Sequence, residues 1–277
     1  MYSLFVTSGR RHAAWPLVVG NSGGAAPVLV VLPAMTWQGQ NAVDSSRDGW
    51  PDTLDTGDSV PLARGFLHGQ PPRSVVSESV TTLEFLSRMR ANYDLTTDVA
   101  LAAGKTPGVA GHNGVLFAGS ERWLTPKLSL QLRRFATGGG TVASFGIDGL
   151  RREVELSHGM LVDPSKRARA DVFGERTSLF SSPEAPLVVS QDKLGLFQGS
   201  DYYVGLFKQF ERSEGLDPKA ALLTAAGRTA DRKPDFVAYT LGQGLVIRVG
   251  AAGWPAALGS SQEAANATRR MWTLLSR

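Results

Sequence analysis

Cysteine is absent from the 277 residues, so disulfides, thiolate zinc sites and a cysteine nucleophile are excluded, and the redox compartment is left open. Long apolar runs are missing as well. No stretch approaches the roughly 18 consecutive apolar residues that a membrane-spanning helix needs. The opening residues, broken by "SGRRH", lack the apolar centre of a signal peptide. Membrane insertion is therefore not expected. Nor is there a strong excess of one charge: 29 basic against 25 acidic residues leave a formal net charge of +4. The basic residues fall in short groups such as "QLRR", "LRRE", "KRARA" and "TRRM", without interleaved aromatics, which argues against a nucleic-acid partner. What remains is an ordinary globular composition, 42% hydrophobic and 19% charged. The compartment stays open, an extracellular or cell-envelope location within a longer chain being one option.

"MYSLFVTSGRRHAAWPLVV" reads as two alternating strands, Tyr2 to Thr7 and Ala13 to Val19, joined at "SGRR". A lone hairpin is marginal in water. Residues 1–20 are therefore expected to be the end of a preceding β-domain, which makes the remainder of a longer polypeptide the chain's first partner. Residues 21–27 have the composition of a linker.

From 28 to 277 the pattern alternates between strand and helix. A buried strand at 28–33 precedes a long polar segment from Gln38 to about Arg73, and "SESVTTLEFLSRMRANY" reads as a helix. "YDLTTD", "GVLFAG" and "TVASFG" read as further strands, with a helix at "TPKLSLQLRRFATGGG" between the last two. This alternation predicts a parallel sheet flanked by helices. Residues from about 151 to 235 look like a mixed β extension, with one helix near "SDYYVGLFKQFERSEG". The end reads as a hairpin, "FVAYTLGQGLVIRVG", and a closing helix.

The stretch "VVLPAMTWQGQN" should leave Trp37, Gln38, Gln40 and Asn41 on a loop past the carboxyl end of the first buried strand, where open α/β sheets bind ligands. Trp50 and Trp123 fall on loops at the same edge, as do Glu121, Arg122 and Asp148. Aromatic faces beside amides suit a sugar or another small polar neutral ligand; the tryptophans could equally pin the loop to the sheet. Glu121 reads as a ligand or as a residue favoured by a helix N-terminus. Asp148 is the better polar candidate near the expected elbow, because Ser144 lacks a G-x-S-x-G surround. His12, His68, His112 and His158 show no metal-ligand spacing. His68 alone shares the long polar loop with Asp55, Asp58 and Arg64.

The blocks "PVLVVLPAMTWQGQN", "YDLTTDVAL", "GVLFAGSERWLTPKLSLQLRRFATGGGTVASFGIDGL" and "GQGLVIRVG", in this order, resemble the C-terminal domain of the N,N-dimethylformamidase β-subunit family. That resemblance implies a flavodoxin-like, class I glutamine amidotransferase-like fold over about Pro27 to Arg277. It also implies an iron held by tyrosine and glutamate from loops at the sheet edge. Set against the family pattern, Trp37, Gln38, Asn41, Glu121 and Trp123 are kept. Gln40 stands in place of a tyrosine, Gly119 in place of a histidine, Arg122 in place of a tyrosine, and Gly146-Ile147-Asp148 in place of two glycines and an asparagine. A neutral amide and a fixed positive charge in place of phenolates disfavour ferric iron.

The expectation is thus a catalytically degenerate module that binds a small polar ligand, a carbohydrate among the candidates, or that serves as a scaffold. No cofactor is expected. The alternative is a metal-assisted hydrolase of small amides, with iron on Glu121 and a second carboxylate such as Asp148 or Asp44. Under either reading Glu121, Asp148 and His68 are the candidate reactive residues, and Trp37, Gln38, Gln40, Asn41, Arg122 and Trp123 the candidate ligand contacts.

Overall fold

The computed structural model describes residues 1–20, 26–200, 203–228 and 233–277; most of the linker expected at 21–27 lies outside them. The N-terminal hairpin forms as read. Strands β1 (Tyr2–Ser8) and β2 (Arg11–Leu17) pair with each other in a sheet of their own. Trp15 reaches down to Phe66, with ring centroids 5.0 Å apart, and so fixes the hairpin to the long polar loop.

The body is one nine-stranded sheet. Strands and helices alternate along the chain: β3 (Val28–Leu32), α1 (Ala34–Gly39), the short β4 (Ser59–Pro61), which lies outside the large sheet, a π-helical segment at Val75–Val80 running into α2 (Thr81–Arg88), and β5 (Tyr93–Thr97). Then come α3 (Asp98–Ala102), β6 (Gly114–Phe117), the two-residue β7 (Trp123–Leu124), α4 (Pro126–Thr137) and β8 (Thr141–Phe145). Three short strands follow, β9 (Arg152–Glu153), β10 (Glu155–Ser157) and β11 (Met160–Val162), before the long antiparallel strands β12 (Arg176–Asp192), β13 (Tyr203–Gly215), β14 (Leu222–Arg228) and β15 (Pro234–Leu241). The chain ends with β16 (Gly244–Val249), α5 (Trp254–Ala257) and α6 (Gln262–Leu275).

Across the large sheet the order is β13-β12-β14-β15-β16-β8-β6-β3-β5. The run from β16 to β5 is parallel, and the run from β13 to β16 is antiparallel. The expected flavodoxin-like, amidotransferase-like parallel sheet flanked by helices is therefore wrong for this chain: the sheet is large and mixed, with few helices. The physical reason lies after residue 175. There the apolar segments follow one another at short separations in sequence, which favours antiparallel ladders over the helical crossovers that parallel strands require. "SDYYVGLFKQFERSEG" supplies part of this half. From Tyr203 to Gly215 it forms β13, not the expected helix.

Period-two alternation explains how the sheet is buried. Val28, Val30 and Leu32 face α6 through Ala264, Ala267 and Met271, whereas Leu29 and Val31 face α4 through Leu128, Leu132 and Ala136. Helix α4 starts as its sequence predicts, with the Thr125 hydroxyl accepting from Leu128 N–H and Pro126 in the first turn. The Ser261 hydroxyl caps α6 in the same way.

Candidate functional site

Five strands end along the carboxyl edge of the parallel half, and the segments that follow three of them enclose a crevice of about 280 Å3. Pro33, Thr36, Trp37 and Gln40 come from the end of β3 and from α1. Ser120 and Arg122 follow β6, and Ile147 and Asp148 follow β8. Glu78, on the π-helical segment, closes the side.

Trp37 does not sit on a loop as expected. It lies within α1, which begins directly after Pro33, and it is buried at 4% exposure. Gln38 and Asn41, expected in the crevice, are turned away from it. Gln38 donates to the Arg64 carbonyl and accepts from Asn41, whose amide also donates to the Gly65 carbonyl. Arg64 in turn donates to the carbonyls of Gln38, Asn41 and Asp52 at 2.8 to 2.9 Å. These polar groups satisfy the carbonyls at the places where the long loop turns inward.

Glu121 is likewise inside, not at the crevice, with 1% exposure. Its neighbours are the Thr36 hydroxyl and Asp98, the first residue of α3. Burial and the adjacent Asp98 charge push the Glu121 carboxyl well above its ordinary range. Burial also raises Asp98, to about 7, against hydrogen bonds from Glu121 and from the amides of Met35 and Val99 that pull it down. The proximity of the two carboxyls thus favours the neutral form of Glu121. A carboxyl held neutral in the core is not an open ligand for a cation.

Asp148 does face the crevice, but surrounded by arginines. Arg122 approaches its Oδ2 with Nε at 3.0 Å and Nη2 at 2.7 Å, Arg152 adds a contact at 3.2 Å, and Arg167 Nε lies 2.7 Å from Oδ1. Asp55 bridges the other ends of Arg122 and Arg152 at 2.9 and 2.8 Å. Trp123 is the floor of this ion cluster: it is fully buried, with the guanidinium of Arg122 4.9 Å and that of Arg152 5.5 Å from its ring. It supports the arginines and offers no face to a ligand.

Glu78 was not singled out by sequence reasoning. Its carboxylate accepts from Ser120 N–H at 2.7 Å and from the Ser120 hydroxyl at 3.3 Å. Burial raises its pKa, and the two Ser120 bonds oppose that rise. Gly146 has φ +98°, and a Cβ there would lie 2.2 Å from Ser120 Oγ, so only glycine lets the loop after β8 pass this close. Nothing in a linear pattern marks a carboxylate brought in by a π-helical segment. Asp98, also unremarked, did carry a signal as an acid at the carboxyl end of a strand.

The remaining candidates lie outside the crevice. His68 is exposed, in a single 3-10 turn at φ +55° beside the hairpin. Asp44 is spent on its own turn, accepting from the amides of Arg47, Asp48 and Gly49. Trp50 is 75% exposed. Among the described residues no three carboxylate or imidazole groups converge as a metal site.

No protein-family model matches the chain, and no curated protein does. Solved structures do resemble it in fold. A cold-adapted β-galactosidase from Rahnella sp. R3 aligns with a TM-score of 0.50 at 11% identity, covering 90% of this chain and 31% of the other. An exo-β-1,4-mannosidase from an Opitutaceae bacterium gives 0.49 at 12% identity, over 91% of this chain and 36% of that one. A cytoplasmic protein of Salmonella typhimurium gives 0.49 at 10% identity, over 89% of this chain and 98% of its own length. The chain thus spans about a third of those glycosidases, and at such identities the likeness to the β-galactosidase is one of fold alone.

Proposed function

We propose that the crevice binds a small, neutral, hydroxyl-rich ligand, with carbohydrate the best-fitting class, and that the chain acts as a non-catalytic binding module of a larger protein. The observation that carries this reading is where three residues lie. Gln40 and Arg122 line the crevice, while Glu121, which a metal-assisted amide hydrolase would need there, is sealed in the core as a neutral acid.

The wall chemistry is paired donors and acceptors. The Gln40 amide, the Ser120 hydroxyl, the Glu78 carboxyl and the guanidinium edge of Arg122 can each meet a ligand hydroxyl, and Trp37 supplies an apolar surface. Trp37 Nε1–H is buried without an acceptor among the described residues, a donor of the kind that ligands satisfy. Iron fits poorly here. Asp148 is already neutralised by arginines, and a cation beside Arg122, Arg152 and Arg167 would be repelled.

Calorimetric titration of neutral mono- and disaccharides, followed in parallel by tryptophan fluorescence, tests this reading. Saturable binding that Arg122→Ala and Glu78→Ala each weaken at least tenfold is the expected result. Turnover of dimethylformamide by iron-loaded protein, lost in Glu121→Ala, would overturn it in favour of the hydrolase.

A further inference from the structure

A second cavity, of about 400 Å3, opens on the antiparallel half and is lined by Arg151, Arg169, Arg176, Thr177 and Glu214. Three of its five lining residues are arginines, and the fold spends specific contacts to gather them. Arg151, buried to 5% side-chain exposure, donates from Nε and Nη2 to the Ala168 carbonyl at 3.0 and 2.6 Å, and from Nη2 to the Arg169 carbonyl at 3.2 Å. This pins the backbone that carries Arg169. An isolated antiparallel bridge between Ala170 and Arg176 then brings that segment to the start of β12. Arg176 lies over Gly215, where an added Cβ would come within 2.7 Å of its Nη2, so the missing side chain at 215 is what seats the guanidinium.

The charges of this cluster are not balanced. Arg151 is answered by Glu211 at 3.3 Å. Glu214, the single acid on the lining, is already engaged by Lys233, by Arg212 at 2.8 Å and by the Ser178 hydroxyl at 2.5 Å. Neither Arg169 nor Arg176 has a carboxylate partner or a side-chain hydrogen bond among the described residues. Arg169 and Arg176, both exposed at one cavity, leave an excess of positive charge there, and their planar forks match tetrahedral oxyanions.

We propose that this cavity is a binding site for a doubly charged tetrahedral oxyanion, phosphate or sulfate, free or as the head of a small monoester, held between Arg169 and Arg176. The site is separate from the carbohydrate crevice and does not depend on that reading. Glu214 on its rim disfavours larger polyanions and offers an acceptor to a hydroxyl on the carrier of the anion.

The test is calorimetry on the whole chain with inorganic phosphate, inorganic sulfate and glycerol phosphate, at ionic strength held constant with chloride. Saturable binding is expected, weakened at least tenfold by Arg176→Ala and by Arg169→Ala, and less by Arg176→Lys, which keeps the charge and loses the fork. Gly215→Ala should weaken it too, by unseating Arg176 while leaving every charge in place. Binding of inorganic phosphate alone would assign a free-ion site, and equal or tighter binding of glycerol phosphate a monoester site. The proposal is overturned if no probe binds saturably, if Arg169→Ala and Arg176→Ala leave affinity unchanged with the fold intact by circular dichroism, or if Arg122→Ala in the crevice abolishes binding instead.

Discussion

Glu121 and Asp98 lie side by side in the core beneath the crevice, where burial raises both carboxyls and the Asp98 charge raises Glu121 further. The relationship fixes α1 as well, since Asp98 Oδ2 accepts from Met35 N–H at 2.8 Å. Crevice wall and buried acid pair are therefore one mechanical unit.

The pair sets a pH dependence whose sign follows from linkage. Both carboxyls are raised in the folded state, Asp98 to about 7, so the folded protein keeps protons that the unfolded chain releases near pH 4. Their contribution is full below that range and declines as pH rises from about 4 towards 7, by up to about 1.4 kcal/mol per pH unit for each proton. Urea unfolding of wild type and Glu121→Gln across this range should show the variant lacking that share of the decline, and gaining on wild type towards pH 7. A variant curve parallel to wild type would refute the assignment.

Arg248 is the buried charge whose loss should cost most. It forms two bonds to Glu175, at 2.9 and 2.6 Å, and donates to the carbonyls of Glu211 and Asp235 at 2.6 and 3.2 Å. Arg248→Met would strand Glu175 beside Asp171, which burial and the neighbouring carboxylate already push up to about 8. A loss of about 3–5 kcal/mol is expected in denaturant unfolding, with partial recovery when Glu175→Leu is added.

Gly146→Ala probes the crevice through its backbone. The new methyl would collide with Ser120, and φ +98° is strained for alanine. Destabilisation of about 1–3 kcal/mol is expected. Displacement of Ser120 from Glu78 should also weaken saccharide binding, whereas a stability loss with unchanged affinity would place Ser120 outside the ligand's reach.

Two tryptophans separate supporting from idle roles. Trp123→Ala removes a fully buried ring under two arginines and should cost about 3–5 kcal/mol. Trp50→Ala, at 75% exposure, should stay within about 0.5 kcal/mol. Thermal unfolding of both, with the same saccharide titration, distinguishes these expectations.

The parallel strands were legible because each is short, β-branched and buried on both faces, as Val28–Leu32 is. Helix α4 announced itself by the Thr125-Pro126 start and the glycines that end it. β13 did not, and its pairing explains why. Buried Val204, Phe207 and Glu211 recur at intervals of three and four because the ladder with β12 shifts register several times. A bulged strand loses its period of two and mimics a helix. The long loop misled for another reason: Gln38, Asn41 and Arg64 look like ligand chemistry in a linear reading, and in three dimensions they serve buried carbonyls. Glu78 and Ser120 could not be linked in advance, since their meeting depends on the loop after β8 passing over Ser120 at Gly146.

The change from antiparallel to parallel pairing at β16 also divides the chain in time. β14, β15 and β16 are close in sequence and can zip together from neighbouring residues, whereas the ladder from Leu245 to Thr141 must close a loop that contains most of the antiparallel half. The local hairpins are therefore the natural first product of folding. The docking of β8 onto β16 is the long-range step, so both halves of the sheet depend on one strand near the end of the chain.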